Sequence, residues 1–230
     1  EASLHNYPGM FLAKATGNSL VSTFPKYVLK AEPNQDNGPD RNQIITQEAD
    51  YIAKVSGKRA YPWRVFIISD DDRTFVESNL VTQLSGKSKI EDTSWIKPGK
   101  VAWDWWNANN IYGVDFKAGI NQDTYKYYID FASKNNIEYI ILDEGWTKST
   151  TEIYESNDKL DIPELIKYGK SKNVDVILWV LWKPLDDDPE GIIKLYSGWG
   201  AAGIKVDFMQ RSDQYIVQSY EDIAEIAANY

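Results

Sequence analysis

The chain has 230 residues, a formal net charge of −9, no cysteine and a single histidine, His5. This acidity argues against nucleic-acid binding, which needs a basic surface, and the lack of cysteine excludes disulfides and thiolate metal sites. No apolar run approaches the roughly 18 residues of a membrane span, and with one histidine we expect any chemistry to depend on carboxylates, not on a zinc site or a Ser–His–Asp triad.

Residues 1–85 are predicted to form β structure. Four short β-rich runs are separated by turn-forming residues: FLAKA, SLVSTF, KYVLK and WRVFIIS (63–69). The segment NQDNGPD (34–40) is predicted to be a long polar loop. Residues 86–99 are polar and end in Lys-Pro-Gly, as is typical of a linker. The opening EASLHNYPGM has neither a basic start nor an apolar stretch, so no signal peptide is expected within this chain.

Residues 100–230 have a different periodicity. Four apolar runs recur at intervals typical of a βα unit. They begin near Val101, Tyr139, Val174 and Gly203. Amphipathic helical patterns lie between the runs, and one of them, DIPELIKYGKSKN (161–173), opens with a capping box of Asp161 and Glu164.

The four units predict an α/β fold, and the distribution of polar residues favours the first half of a (β/α)₈ TIM barrel over a small open sheet. Each run carries charges or tryptophans at its carboxyl end, which is the face where barrel enzymes place their sites. Half a barrel leaves two sheet edges uncovered, so we expect this chain to be a portion of a longer protein.

The fourth run, GIKVDFM (203–209), carries two opposite charges. Because strand side chains alternate, Lys205 and Asp207 point to the same face, which in a barrel is the inner one. The ammonium of Lys205 would hold the pKa of Asp207 down, and an ionised aspartate at the mouth of a barrel suits the nucleophile of retaining glycoside hydrolysis. A structural ion pair inside the barrel is the alternative that this strand leaves open.

Two acidic stretches have competing interpretations. In LDEGW (142–146), Asp143 and Glu144 point to opposite sides unless the strand has already turned; such acids hold sugar hydroxyls or cap the following helix. DDDPE (186–190) has the composition of a calcium loop, but Pro189 indicates the first turn of a helix, which favours helix capping and a solvated acidic loop over calcium binding.

The aromatic residues also allow two interpretations. In WDWWN (103–107) three tryptophans surround one acid, Asp104, and a sugar subsite would use such rings. The chain has nine tryptophans and fifteen tyrosines, which serve either core packing or stacking on the apolar faces of sugars.

As a set, these motifs resemble glycoside hydrolase family 97. The matching stretches run through the whole chain in the family's order: YPGM (7–10), YPWRVF (61–66), KVAWDWWN (100–107), DTYKYYIDFA (123–132), YIILDEGW (139–146) and GIKVDF (203–208). The resemblance implies the end of an N-terminal β-super-sandwich in residues 1–85, a linker in 86–99, and the first half of a catalytic (β/α)₈ barrel in 100–230. It also implies hydrolysis of α-glycosides, a Ca²⁺ ion beside the site, and a periplasmic location in bacteria.

Within the family, an aspartate at position 207 resembles the retaining branch, which includes α-galactosidases, because the inverting α-glucosidase branch lacks it. The resemblance implies that Asp207 is the nucleophile and that Asp143 and Glu144 hold the C4 and C6 hydroxyls of the glycon, which favours galactose. The side chains implied to hold the glycon are Lys205, Asp143, Glu144, Trp103, Asp104, Trp105, Trp106 and Trp182.

The resemblance further implies that essential parts lie outside this chain. The family's acid/base is a glutamate on a later strand, beyond Tyr230, and most Ca²⁺ ligands are glutamates from the same half. One further ligand just precedes the YPGM stretch, and Glu1 fits that place, although a single carboxylate cannot hold Ca²⁺. The remainder of the same polypeptide is therefore expected to complete the barrel around an oligo- or polysaccharide α-glycoside.

Three alternatives stay open on the sequence. The first is an inverting α-glucosidase of the same family, whose two carboxyl groups would be roughly 6.5–9.5 Å apart instead of about 5–5.5 Å. The second is a sugar-binding protein without catalysis. The third is a phosphate-binding barrel enzyme, whose phosphate loops would follow strands that are not in this sequence.

Overall fold

The computed structural model describes residues 6–230, apart from the side chain of Asn107, and the chain divides into two units. The first unit consists of Glu1–Gln35, Gln43–Glu91 and Gln210–Glu225. The second consists of Asp36–Asn42, Asp92–Met209 and Ile226–Tyr230. Among the described residues, no helix has both the length and the apolar character needed to cross a membrane.

Two antiparallel strand pairs form the β part of the first unit. The strands are β1 (Phe11–Lys14), β2 (Leu20–Thr23), β3 (Val28–Pro33) and β4 (Gln43–Glu48). β1 pairs with β2, and β3 pairs with β4. Gly17 allows the turn between β1 and β2, because its φ of 65° lies in the left-handed region that glycine adopts without strain. The sequence predicts the first three strands, whereas the polar composition of QIITQE conceals β4.

The prediction of a strand at WRVFIIS (63–69) is wrong, since this segment forms no regular strand. Its apolar residues favour extended structure, but a strand also needs a hydrogen-bonded neighbour, and Ile68 is 93% exposed. Two helices follow where β structure is predicted, α1 (Arg73–Glu77) and α2 (Leu80–Leu84). Each has five residues, too few to show a helical period in the sequence.

A four-stranded parallel sheet forms the centre of the second unit, as the apolar runs predict. Its strands are β5 (Val101–Trp103), β6 (Tyr139–Leu142), β7 (Asp175–Leu181) and β8 (Gly203–Asp207), adjacent in that order. The register places Trp179 of β7 opposite Lys205 of β8 and Leu181 opposite Asp207. β7 is almost entirely buried, which is expected of a parallel strand covered on both faces.

The strands of this sheet are followed by helices, and three of the helices begin at a residue whose side chain caps them. The helices are α3 (Gln122–Lys134), α4 (Ile162–Ser171), α5 (Trp182–Asp187), α6 (Pro189–Trp199) and α7 (Gln214–Ala227). The side chain of Asp161 accepts a hydrogen bond from the N–H of Glu164 at 2.9 Å, as predicted for α4. Asp188 accepts one from the N–H of Gly191 at 3.0 Å, which confirms helix capping for DDDPE. The sequence does not predict α5.

Most of α7 belongs to the first unit. There the Gln214 side chain accepts a hydrogen bond from the N–H of Lys54 at 2.8 Å and donates one to the carbonyl of the same residue at 3.0 Å. In the second unit, the side chains at the carboxyl ends of β5 to β8 meet at one edge of the sheet.

Candidate active site

Asp207, the last residue of β8, is surrounded by hydrogen-bond donors. Its Oδ2 accepts from the Nζ of Lys205 at 2.7 Å and from the indole Nε1 of Trp179 at 3.0 Å. Its Oδ1 accepts from the main-chain N–H of Phe208 at 2.8 Å. Burial of the Asp207 carboxyl raises its pKa, but these three donors outweigh burial, so that the pKa lies below its ordinary value. Asp207 is therefore an oriented carboxylate at neutral pH.

Lys205 joins two acids at this edge of the sheet. Its Nζ lies 2.7 Å from Asp207 and 3.2 Å from the Oδ2 of Asp143. The same Oδ2 accepts a hydrogen bond from the Nε1 of Trp103 at 2.6 Å, and the ammonium lies 5.0 Å from the centre of the Trp103 ring. The predicted placement of Lys205 and Asp207 on one face is confirmed. The ammonium of Lys205 lies between the carboxylates of Asp143 and Asp207, so opposite charges alternate across the cluster.

Asp104 lies beneath this cluster and is 2% exposed. It starts the 3₁₀ turn Asp104–Asn107 that ends β5. Its carboxyl accepts hydrogen bonds from the hydroxyl of Tyr125 at 2.8 Å and from the N–H of Asp143 at 3.2 Å. Burial raises the pKa of Asp104 to about 6, and the charge of Asp143 adds to this, while the hydrogen bonds oppose it. The structure thus places Asp104 as a support for the main chain of Asp143.

The tryptophans predicted to bind a glycon differ in exposure. Trp105 is 59% and Trp106 75% exposed, and the Trp103 and Trp105 rings stack with centroids 5.5 Å apart. Both rings are therefore largely accessible to solvent. Trp182, the first residue of α5, is 4% exposed, so its ring offers little surface for stacking.

Glu144 follows the end of β6 in a turn and binds Arg41, whereas Asp143 binds Lys205 and Trp103. The guanidinium donates to the two carboxylate oxygens of Glu144 at 2.9 and 2.7 Å. Arg41 also binds Asp40, whose carboxylate accepts a hydrogen bond from the hydroxyl of Thr150 at 2.8 Å. The hydrogen bond to Glu144 and then that to Asp40 raise the pKa of Arg41, which is a permanent cation in this cluster.

Sequence reasoning missed several residues of this site. Trp179 could have been found, because it lies near the carboxyl end of an apolar run and faces the same side as its neighbour Lys205. Arg41 and Asp40 gave no signal: they lie in an aperiodic polar loop, and Arg41 is separated from Glu144 by 103 positions. Tyr125 lies on the apolar face of a helical pattern, which predicts that it is buried but does not indicate its hydrogen bond to Asp104.

The predicted metal ligand Glu1 lies outside the described residues, so its role stays a prediction. Within residues 6–230, no three histidine, aspartate or glutamate side chains come together in a group that could hold a metal ion. The carboxylates of Asp207 and Asp143 are instead occupied by the Lys205 ammonium and two indole donors.

Comparison with known proteins identifies the family of this chain. The sequence model of glycoside hydrolase 97 matches residues 105–230, and the model of the glycosyl-hydrolase 97 N-terminal region matches residues 1–86. A retaining alpha-galactosidase of Bacteroides thetaiotaomicron is 41% identical over 235 residues, covering 100% of this chain and 35% of that protein. A probable retaining alpha-galactosidase of Streptomyces bingchenggensis is 29% identical over 242 residues, covering 96% of this chain and 35% of that protein.

A solved structure shows the same fold. It is a glycoside hydrolase family 97 enzyme in complex with acarbose from Pseudoalteromonas sp. strain K8, matched with a TM-score of 0.72 and 20% identity over 99% of this chain and 37% of that one. The predicted fold class is confirmed: the chain contains the first four βα units of a TIM barrel, preceded by part of a β-sandwich. The family matches cover both parts of the sequence, and the chain belongs to glycoside hydrolase family 97.

Proposed function

We propose that this chain supplies the nucleophile half of a retaining exo-α-galactosidase. The observation that carries the proposal is the Asp207 carboxylate, held ionised by Lys205, Trp179 and the Phe208 N–H at the carboxyl end of β8. Two relatives named as retaining or probable retaining alpha-galactosidases support the choice of glycon and stereochemistry. Because the chain spans 35% of the length of each relative, the activity belongs to a longer polypeptide.

The proposed reaction has two displacement steps at the anomeric carbon. A carboxylate oxygen of Asp207 forms a bond to this carbon as the glycosidic bond breaks, and a glutamate outside this chain gives a proton to the leaving oxygen. Water then attacks the same carbon, the glutamate takes a proton from the water, and the ester bond to Asp207 breaks. Two inversions give net retention.

The other side chains of the site have proposed roles in binding the glycon. Asp143 and Glu144 would accept hydrogen bonds from its hydroxyls, while Lys205 would donate one. The exposed faces of Trp105 and Trp106 would stack on its apolar side. A Ca²⁺ ion with Glu1 among its ligands, which would help to orient or polarise the acid/base, and a periplasmic location are parts of the same proposal and rest on the resemblance to the family.

The nucleophile assignment is tested by Asp207→Gly in the full-length protein. We expect turnover of an aryl α-galactoside to be abolished, because no carboxylate attacks the anomeric carbon. Added azide fills the space left by the side chain and attacks the same face, so the product should be the β-galactosyl azide, identified by NMR and mass spectrometry. Turnover at the wild-type rate in Asp207→Gly would overturn the proposal.

Two alternative functions predict different results when the sugar released from the substrate is analysed. An inverting α-glucosidase would release the β-anomer of glucose first, whereas the proposed enzyme releases α-galactose, and proton NMR of the first product separates them. A sugar-binding protein without catalysis would bind galactosides and release no sugar. The retaining assignment is favoured by the aspartate at position 207 and by the relatives' names.

A further inference from the structure

A loop outside the sheet contacts the candidate nucleophile's surroundings and has no role in the proposed reaction. This loop, residues 36–42, is called the Arg41 loop. Its turn is closed by hydrogen bonds from the N–H groups of Arg41 and Asn42 to the carbonyl of Gly38 at 3.1 and 2.8 Å. The Arg41 side chain lies between two carboxylates, Asp40 and Glu144, and is about three-quarters buried. An ion pair that binds one acid through two hydrogen bonds has a fixed geometry.

The same guanidinium packs against Phe208, the residue that follows Asp207. Its Cζ lies 4.9 Å from the centre of the Phe208 ring. The Trp179 ring also packs against Phe208, edge to face, with centroids 6.5 Å apart. The Phe208 ring is therefore held by a planar cation and by an indole that itself donates to Asp207.

Phe208 has an unfavourable main-chain conformation. Its φ is 61°, in the left-handed region that bulky side chains rarely adopt. Such a conformation persists only where the surroundings hold it, and it is concentrated at functional sites. The N–H of this same residue donates to the Oδ1 of Asp207 at 2.8 Å. If the flanking Cα atoms stay in place, φ of Phe208 relaxes only with an opposite change in ψ of Asp207, which rotates the peptide plane between the two residues and withdraws this donor.

We propose that Arg41 is a positioning residue for the nucleophile: by packing on Phe208 it holds the left-handed main chain whose N–H orients the Asp207 carboxylate. The inference rests on the proposed role of Asp207 as nucleophile. Lysine cannot replace Arg41 in this role, because only a planar guanidinium binds Glu144 through two parallel hydrogen bonds and also stacks on a ring.

The first test is Arg41→Lys in the full-length protein. This substitution keeps the positive charge but removes the planar guanidinium that forms two parallel hydrogen bonds to Glu144 and stacks on the Phe208 ring. With a dinitrophenyl α-galactoside, whose leaving group needs no proton, we expect kcat to fall by about ten- to a hundredfold, because small misplacements of reacting groups cost this much. KM is expected to rise as well, because Arg41 also holds Glu144, which is proposed to bind a glycon hydroxyl, so the positioning role is judged from kcat at saturating substrate. The matched control is Arg73→Lys, because Arg73 forms a similar ion pair with Asp71 at 2.7 Å and should leave kcat unchanged.

The decisive test repeats Arg41→Lys in the Asp207→Gly background with azide. Azide replaces the carboxylate, so a residue that acts by orienting Asp207 should lose its influence there, and we expect less than about a twofold further fall in the azide-rescued rate. A fall equal to that in the wild-type background would overturn the inference, because Arg41 would then act on the glycon or on the fold.

The two proposals fail in distinguishable ways. Full activity of Asp207→Gly alone refutes the nucleophile assignment before Arg41 is tested. If Asp207→Gly is inactive and rescued by azide, the proposed function stands, and an unchanged kcat in Arg41→Lys then refutes the positioning role by itself.

Discussion

At the scale of single residues, two aspartates of this site show how the surroundings set a pKa. Asp104 is buried under Asp143, and burial raises its pKa to about 6 in spite of its hydrogen bonds. Asp207 is partly open, and three donors more than compensate for its burial, so its pKa is lowered. At neutral pH the more exposed of the two aspartates, Asp207, is therefore the more fully ionised. A nucleophile needs this ionised form.

The contribution of Lys205 is tested through pH dependence. As the proposed nucleophile, Asp207 would act only above its pKa, and Lys205 is the strongest of the groups that lower this pKa. We therefore expect Lys205→Met to raise the pKa of Asp207 and to move the acid limb of the kcat/KM profile to higher pH. The measurement is kcat/KM of an aryl α-galactoside as a function of pH.

A charge control accompanies this profile. Lys126 forms an ion pair with Glu164 at 2.8 Å between α3 and α4, so Lys126→Met removes one positive charge without touching Asp207. Its acid limb should coincide with that of the wild type. An acid limb that stays in place in Lys205→Met would show that Lys205 does not set the ionisation of Asp207.

At the scale of elements, the strands were the most predictable part of the site. Alternation in GIKVDFM places Lys205 and Asp207 on one face, and the structure has them there. Alternation does not apply to Asp143 and Glu144, because β6 ends at Leu142 and the chain has already turned there. Period-two patterns are visible in a sequence because every second side chain meets the same environment.

Loops and turns carried the part that could not be predicted. Arg41 reaches Glu144 from a loop with no repeating pattern, and its partner is known only once the chain has folded. The left-handed conformation of Phe208 is also invisible in sequence, because glycine is the residue expected at such a position. The strand prediction for WRVFIIS was wrong for a related reason: a strand depends on a hydrogen-bonded neighbouring strand that the local sequence does not specify.

The turn that ends β8 gives a test at this scale. Phe208→Ala removes the ring that Arg41 and Trp179 hold but keeps a Cβ, so the left-handed main chain becomes unsupported. Phe208→Gly removes the ring and also the strain. Since this conformation costs about 1–2 kcal/mol for a residue with a Cβ, we expect kcat of Phe208→Gly to exceed that of Phe208→Ala by at least about fivefold.

The two variants serve as controls for each other, because both lose the same ring contacts and differ only in the Cβ atom at position 208. Unfolding by urea should be followed for each variant, so that kcat is compared between folded proteins. Equal or lower activity of the glycine variant would mean that the main-chain conformation at Phe208 does not matter for Asp207.

At the scale of the whole chain, the net charge and the site are consistent with the proposed neutral sugar ligand. A chain with a charge of −9 repels phosphorylated compounds at a distance, whereas uncharged sugars are unaffected. The site adds Asp143, Glu144 and Asp207 around two cations, Lys205 and Arg41. This arrangement suits a ligand rich in hydroxyl groups and disfavours the phosphate-binding alternative.

The last prediction concerns this 230-residue chain on its own. In the proposed mechanism it holds the nucleophile but not the group that protonates the leaving oxygen. General acid catalysis contributes about 10²- to 10⁴-fold, and the described sheet has β5 and β8 as outer strands without barrel neighbours. We therefore expect the purified chain to hydrolyse no unactivated α-galactoside above the background rate, as measured by galactose release. Coexpression with the remaining part of the polypeptide should restore hydrolysis, and the same coexpression with Asp207→Gly should not. Release of galactose by the chain alone would show that its own residues include a sufficient acid.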